Sequence, residues 1–219
     1  LHAQKEGLSI TLLDKCINFK NAISLLNRQY RMNIPIMKFS NSYFYNNELI
    51  ADETVSTQML VNEITEVDKI NNSPIEFIDT AGCGLEEIQH PETLSSYNIG
   101  EAKIIFNHFS QLINWYSNFK QNNKLSIGII SPYKEQVNWF KENIKELCTN
   151  SLSIEELRIN TIDGFQGQEC DVIYISLVRS NSEQIIGFLN DIRRMNVAIT
   201  RAKKKLVVVG DSATLSVNK

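Results

Sequence analysis

The sequence predicts an α/β fold, a mostly parallel sheet flanked by helices, and three observations carry that expectation. Short apolar runs rich in β-branched residues recur through the second half, at Leu125–Ser131, Leu157–Ile162, Asp171–Val178 and Lys205–Asp211. Segments with helical spacing lie between them: residues 133–148 carry Val137, Phe140, Ile144 and Leu147 at i, i+3, i+7 and i+10. The run DVIYISLV is apolar nearly throughout, as strands covered on both faces are. Strands alternating with helices imply crossovers and parallel pairing.

In chain order, Leu26–Met32 (LNRQYRM) reads as a short strand or turn leading into a helix. Asn33 is placed to cap that helix, and Pro35 falls in its first turn, where a missing N–H costs little. Residues 51–73 are polar and weakly patterned, which predicts a long surface connection. Pro74–Gly82 (PIEFIDTAG) gives a strand, and residues 80–97 a surface loop. Asn98 with Glu101 three residues on has the form of a capping box, opening a helix over 99–119. Leu125–Ser131 is then a buried strand stopped by Pro132, and Asp163-Gly164 closes the strand Leu157–Ile162. An arginine-rich helix over 191–204 precedes the last strand, Lys205–Asp211.

Composition narrows the function classes. With 42% hydrophobic and 21% charged residues, the 219-residue chain is an ordinary globular protein and not a disordered one. A net charge of −3 leaves nucleic acid open as a partner, because local patches set the field at a groove. No apolar run approaches the ~18 residues of a membrane span, and the start lacks a signal-peptide pattern, so no membrane partner is expected. Cys16, Cys83, Cys148 and Cys170 are scattered without a CxxC, and His2, His90 and His108 share no ligand spacing. That predicts no metal site in this chain and a reducing, intracellular setting. The chain opens without an initiator Met and reads as a piece of a longer protein.

Arg193–Lys205 (RRMNVAITRAKKK) places six positive charges on thirteen residues. On a helical wheel Ile192, Met195, Ile199 and Ala202 cluster within about 80°, while Arg194 and Arg201 fall about 20° apart on the other side, roughly 10 Å along the axis. Such a back face is either solvated or reads phosphate, and arginine's planar fork suits the second role. Lys203, Lys204 and Lys205 are expected to favour the helix C-terminus through its dipole and otherwise to face solvent. Asn160–Ile175 (NTIDGFQGQECDVIYI) runs from a strand into two glycines, Gly164 and Gly167, among Thr161, Asp163, Gln166, Gln168 and Glu169. Such a cluster at the carboxyl end of a parallel strand is a ligand-binding position, although a tight connection would also need the glycines. Tyr30 beside Arg31 offers a stacking face next to a fork. Ser131–Gln136 (SPYKEQ) sets a hydroxyl and an aromatic at a strand-to-helix junction, where a backbone phosphate can be held.

One absence orders these pieces. None of the nine glycines precedes a lysine, so the sequence has no GxxxxGK[ST] phosphate cradle, and no Asp-Glu dyad is expected after a strand to hold Mg2+. Arginines and an aromatic without a cradle are what half of a two-domain nucleotide site should offer.

The ordered set QYRM, SPYKEQ, TIDGFQGQECDVI and RRMNVAITRA resembles superfamily 1 helicases, in the group of the nonsense-mediated-decay helicase, senataxin and the immunoglobulin-mu-binding-protein helicase, with their bacterial relatives. The likeness covers about residues 25–216 and matches only the second RecA-like domain of such enzymes. It implies one RecA-like domain over 1–219, with 1–24 a lead-in from the first domain. It implies ATP with Mg2+, held mainly by that first domain, and single-stranded DNA or RNA as partner. It further implies that Arg31 and Arg201 reach the γ-phosphate, that Tyr30 stacks on adenine and that Glu169, near Gly167, approaches the ribose. Arg194 matches a motif arginine on the nucleotide side. Ser131, Tyr133 and Thr161 would touch the nucleic-acid backbone, with Gln166 and Gln168 between the two sites. Members of the group generally move 5′ to 3′, in the cytoplasm or, in eukaryotes, the nucleus. On its own the domain is expected to be inert as an ATPase. The alternative is a stand-alone module that binds nucleic acid or a partner without catalysis.

Overall fold

The computed structural model describes residues 24–62, 71–119, 123–144 and 152–216, with residues 16 and 68. Most of the 1–24 lead-in, part of the 51–73 connection, Cys148 and the end of the helix expected over 133–148 lie outside them. The first half holds β1 (Arg28–Gln29), α1 (Ile34–Phe44), β2 (Ile50–Ala51), α2 (Glu53–Ser56), β3 (Ile75–Asp79), β4 (Ile88–Gln89), β5 (Ser96–Tyr97) and α3 (Ile99–Ser117). The second holds β6 (Leu125–Ser131), α4 (Lys134–Asn143), β7 (Ile154–Thr161), β8 (Cys170–Ser176), α5 (Ile192–Ile199), β9 (Ala202–Gly210) and α6 (Ser212–Leu215). Short 3-10 turns stand at Asp163–Phe165 and Gly187–Asn190.

The α/β class expected from the sequence is the one found: five strands pair in parallel in the order β3-β9-β8-β6-β7, with helices on both faces. Successive side chains of a strand point to opposite faces, so a central strand needs apolar residues at nearly every position. In β8, Val172 and Tyr174 pack under α3 with Ile105, Phe109 and Leu112, while Ile173 and Ile175 meet α1, Phe165 and Ala198 on the other face. Each such buried side chain contributes about 1.5–3 kcal/mol. The edge strand β3 shows the contrasting pattern, with Ile75 and Phe77 exposed. Asn33 caps α1 by accepting from the Ile36 N–H at 3.1 Å, with Pro35 in the first turn, as the sequence predicts.

Several sequence expectations are corrected. The arginine-rich helix ends at Ile199 and not at residue 204, because β9 begins at Ala202, earlier than the expected Lys205. Pairing with β8 from Cys170–Ala202 onward, and with β3 from Ile75–Leu206, outcompetes another helical turn. The three lysines therefore lie in a strand, not at a helix end. Lys205 is fully buried and donates to Ser73 O at 3.0 Å and Glu76 Oε2 at 2.9 Å. Glu76 continues to His108 Nε2 at 3.2 Å, and His108 Nδ1 lies 3.0 Å from the Tyr174 hydroxyl. The His108 hydrogen bond, then the Lys205 contact, hold Glu76 down at about 2 despite its partial burial. The 51–73 segment is not all surface: Leu60 and Val61 enter the α3 core, and buried Asn72 bonds both backbone groups of Val61. Within 80–97, β4 and β5 form a small antiparallel pair. The capping box is half made. Asn98 accepts from the Glu101 N–H at 3.0 Å, but the Glu101 carboxylate turns inward to the Ser176 hydroxyl and the Val178 N–H.

Candidate functional site

The sheet presents a cleft at each end. Glu169 and Arg201 immediately precede β8 and β9, so they sit at the amino ends of these strands. Arg31, just after β1, reaches the same place: its Nε lies 2.5 Å from Glu169 Oε2, and its Nη1 donates to Thr200 O at 3.0 Å. Lys203 Nζ holds the other Glu169 oxygen at 2.9 Å. Burial pushes the Glu169 carboxyl up, but the hydrogen bonds from Lys203 and Arg31 outweigh it and hold the group below its ordinary value. Arg201 donates from Nε to Val197 O at 2.8 Å and from Nη1 to Gln168 O at 3.4 Å. Burial first, then the Arg31 charge, lower its pKa, so the two guanidiniums feel each other. Arg31, Arg201 and Lys203 against Glu169 leave a net charge of +2 beside a cavity lined by Gln29, Arg31, Asn196, Thr200 and Arg201. Tyr30, the neighbour of Arg31 in the chain, is 66% exposed.

The carboxyl ends of β6, β7 and β8 form a second, larger cleft of about 870 Å³, lined among others by Tyr133, Lys134, Thr161, Arg179, Phe188 and Arg194. Here the sequence pattern and the structure diverge. Arg194 and Arg201 are not stacked on one helix face: α5 carries Arg194 near its start, in this cleft, and Arg201 beyond its end, in the other. Ser131 is fully buried, its hydroxyl accepting from the Tyr133 N–H at 3.3 Å, so it shapes the turn beneath the cleft. Tyr133 is also largely buried, its ring edge on Phe188 at 5.8 Å and Arg179 6.0 Å above it. Thr161 lies at the rim and accepts from the Gly164 N–H at 3.2 Å.

The two ends are joined by residues 162–169. Ser131 pairs with Thr161 and Ile130 with Ile175, so Thr161 is level with Ser176, six residues above Cys170. That is about 20 Å along the strands and about 22 Å once the two strand spacings are added. With three residues in the 3-10 turn, the link reaches ~26 Å, which leaves little slack. It can pass this close because Gly128 has no side chain: a Cβ there would lie 2.6 Å from both Phe165 and Ile173. Gln166 and Gly167 are exposed on this link, and Gly167 takes φ +84°, a conformation closed to most residues. Gln168 is bound through its carbonyl to Arg201.

Phe188, Arg179 and Lys203 escaped the sequence reading. No local signal marked Phe188, which lies in the apolar run Ile185–Leu189 and differs from its neighbours only by its exposure in the fold; Arg179 and Lys203 acquire partners only through the fold. Among the described residues no three His, Cys, Asp or Glu side chains converge as a metal site, and no helix is long and apolar enough to cross a membrane.

A family model described as an AAA domain matches residues 8–213. The chain is 40% identical over 220 residues to the DNA polymerase alpha-associated DNA helicase A of Saccharomyces cerevisiae, covering 95% of this chain and 31% of that protein. It is 38% identical over 225 residues to an uncharacterised ATP-dependent helicase of Methanocaldococcus jannaschii, at 99% and 31% coverage. With the DNA-binding protein SMUBP-2 of Mesocricetus auratus it shares 32% identity over 213 residues, at 96% and 20% coverage. The chain thus spans a third or less of the length of these relatives. By this match and these relatives, the chain belongs to the AAA-domain family of superfamily 1 helicases, of the senataxin and mu-binding type.

Proposed function

We propose that this ATP-dependent helicase domain supplies Arg31 and Arg201 to the γ-phosphate of an ATP bound between it and a first RecA-like domain of the same polypeptide. Its carboxyl-end cleft would grip single-stranded nucleic acid. One observation carries the reading. Of the seven arginines, five pair with carboxylates, and Arg201, half-buried beside Arg31, has only carbonyl and hydroxyl partners among the described residues. A guanidinium held in place without an anion, beside a second one, is arranged to receive an anion.

The chain's own residues then divide the work. Arg201 is aimed by its bonds to Val197 and Gln168. Arg31 is parked on Glu169 and must exchange that carboxylate for phosphate, while Lys203 keeps Glu169 paired. The Glu169 oxygen that Arg31 gives up can then meet a ribose hydroxyl, Tyr30 offers its ring to adenine, and Gly167 lets the backbone approach. Arginine fingers are worth roughly 10³–10⁵ in turnover by neutralising charge on the transferring phosphoryl group. Because they sit on a separate domain, hydrolysis depends on closure, and bound ATP favours the closed state in which these contacts exist. In this reading ATP and Mg2+ are held mainly by the first domain. Movement 5′ to 3′ and an intracellular location belong to the same proposal.

The test is ATP turnover by the full-length protein with single-stranded DNA, single-stranded RNA and neither. Turnover stimulated by one of the strands is expected. A full-length protein that binds a strand but never turns over ATP would instead make this a non-catalytic binding module.

A further inference from the structure

We propose that Phe188 is a base-stacking platform for single-stranded nucleic acid and that Arg194 is the phosphate contact beside it. Together they form a subsite on the turn between β8 and α5. The inference rests on the strand-binding reading of the carboxyl-end cleft and adds to it two residues from outside the motif positions expected to touch a strand.

Phe188 is 58% exposed although it belongs to a turn anchored on both sides by buried Ile186 and Leu189. The buried neighbours fix the turn, so the Phe188 ring is held with more than half of its surface in water. Its inner edge is braced by Tyr133 at 5.8 Å, so the ring is held and its outer surface faces the cleft. The Arg194 guanidinium lies over one face of the Phe188 ring, 5.7 Å from its centroid, so a stacking base would take the remaining open face of the ring. Its neighbours Arg193 and Arg179 pair with Asp191 and Glu87, but Arg194 has no carboxylate partner among the described residues. A ring beside an unpaired guanidinium matches the repeat of a single strand, one base face and one phosphate per nucleotide. Thr161, Lys134 and Tyr133 line the same cleft, so a strand seated there would pass the turn as it leaves the motif residues. Asp163, also in the lining, disfavours a second phosphate on its side and leaves the Arg194 side for the backbone.

Stacking accepts every base, so the subsite confers affinity and registration without sequence preference. The experiment uses full-length protein and fluorescence anisotropy with DNA and RNA single strands, each made intact and as an abasic backbone of the same length. Phe188→Ala is expected to weaken binding of intact strands roughly 5- to 150-fold and to leave abasic binding within about twofold. Phe188→Trp should restore intact-strand binding, which also excludes a folding defect. Arg194→Gln should weaken both strand types and lower the salt slope by about one. Intact-strand affinity unchanged in Phe188→Ala overturns the proposal, as does an equal loss on abasic strands. A wild-type protein that binds no strand at all would instead sink the strand-binding reading beneath it.

Discussion

Helix α5 is eight residues long, about 12 Å, and has an arginine for each of two clefts. At its far end Arg201 joins Arg31, Glu169 and Lys203 in a cluster of short, charge-assisted bonds with an excess of two positive charges. Near its start Arg194 faces Phe188, Tyr133 and Thr161, a wider space in which rings and hydroxyls outnumber uncompensated charges. The first cleft is built to hold one compact, multiply charged anion, the second to follow an extended chain of bases and phosphates. Changes at the two ends should therefore be separable. Changes in the sheet between them should not be.

The largest effect is expected at the charged end. Arg201→Ala in the full-length protein should lower strand-stimulated ATP turnover by about 10³ or more, while ATP affinity stays within roughly tenfold and strand affinity within about threefold. Single-turnover hydrolysis and anisotropy measured on one preparation would check this. An Arg201 variant that lost strand binding and kept turnover would reverse the assignment of the two clefts.

Between the ends lies Lys205, buried on the α3 face with Glu76, His108 and Tyr174. Lys205→Met leaves the Glu76 charge without its lysine, and breaking a buried pair costs about 3–5 kcal/mol. Because Glu76 is partly exposed, the lower figure is expected in urea unfolding. A second change, Glu76→Gln, should recover part of the loss. A cost under ~0.5 kcal/mol for Lys205→Met would return this lysine to solvent.

Gly128 tests the link itself. Gly128→Ala drives a methyl group into Phe165 and Ile173, an overpacking of about 1–3 kcal/mol. Because Phe165 belongs to the nearly taut link from Thr161 to Glu169, both turnover and strand affinity should fall together. A loss confined to one cleft would show that the two ends do not share that segment.

Which parts of this were legible in the sequence follows from the physics involved. The strands of the second half were visible because burial on both faces forces unbroken apolar runs such as Val172–Ile175. The cap at Asn33 and the missing phosphate cradle were likewise local patterns. The end of α5 was not, because residues 200–204 suit a helix locally and only the ladder to Cys170 and Val172 makes them a strand. For the same reason the lysines looked like a solvated tail. Lys205 acquires its buried partner from a residue 129 positions away, a distance no window can span. Arg194 and Arg201 are the two arginines without an ion-paired carboxylate among the described residues, but the wheel put them on one face, and the short helix puts them at opposite ends.

The smallest effect concerns the strand-facing end, where Glu101 lies fully buried under the end of β8. Its Oε2 accepts from the Ser176 hydroxyl at 2.7 Å and the Val178 N–H at 2.9 Å, and its Oε1 has no hydrogen-bond partner among the described residues. Burial dominates over these bonds, with Asp211 adding like charge, and the carboxyl is pushed up from 4.5 to about 7. A raised carboxyl pKa means that the folded protein binds the proton more tightly than the unfolded chain. The stability this brings is full below about pH 4.5 and is lost as pH rises toward 7 and beyond. Between pH 6 and pH 8 the loss is on the order of 1 kcal/mol. Glu101→Gln keeps an acceptor for Ser176 and Val178 and removes the titration, so its stability should be flat across that window and equal or exceed wild type at pH 8. Unfolding midpoints at pH 6, 7 and 8 give the answer, and parallel slopes for the two proteins would mean that Glu101 is not the group that titrates. The charged end has no equivalent, since Glu169 is already held below its ordinary value by Lys203 and Arg31. Mild alkali should therefore loosen the strand-facing cleft and leave the arginine cluster in place.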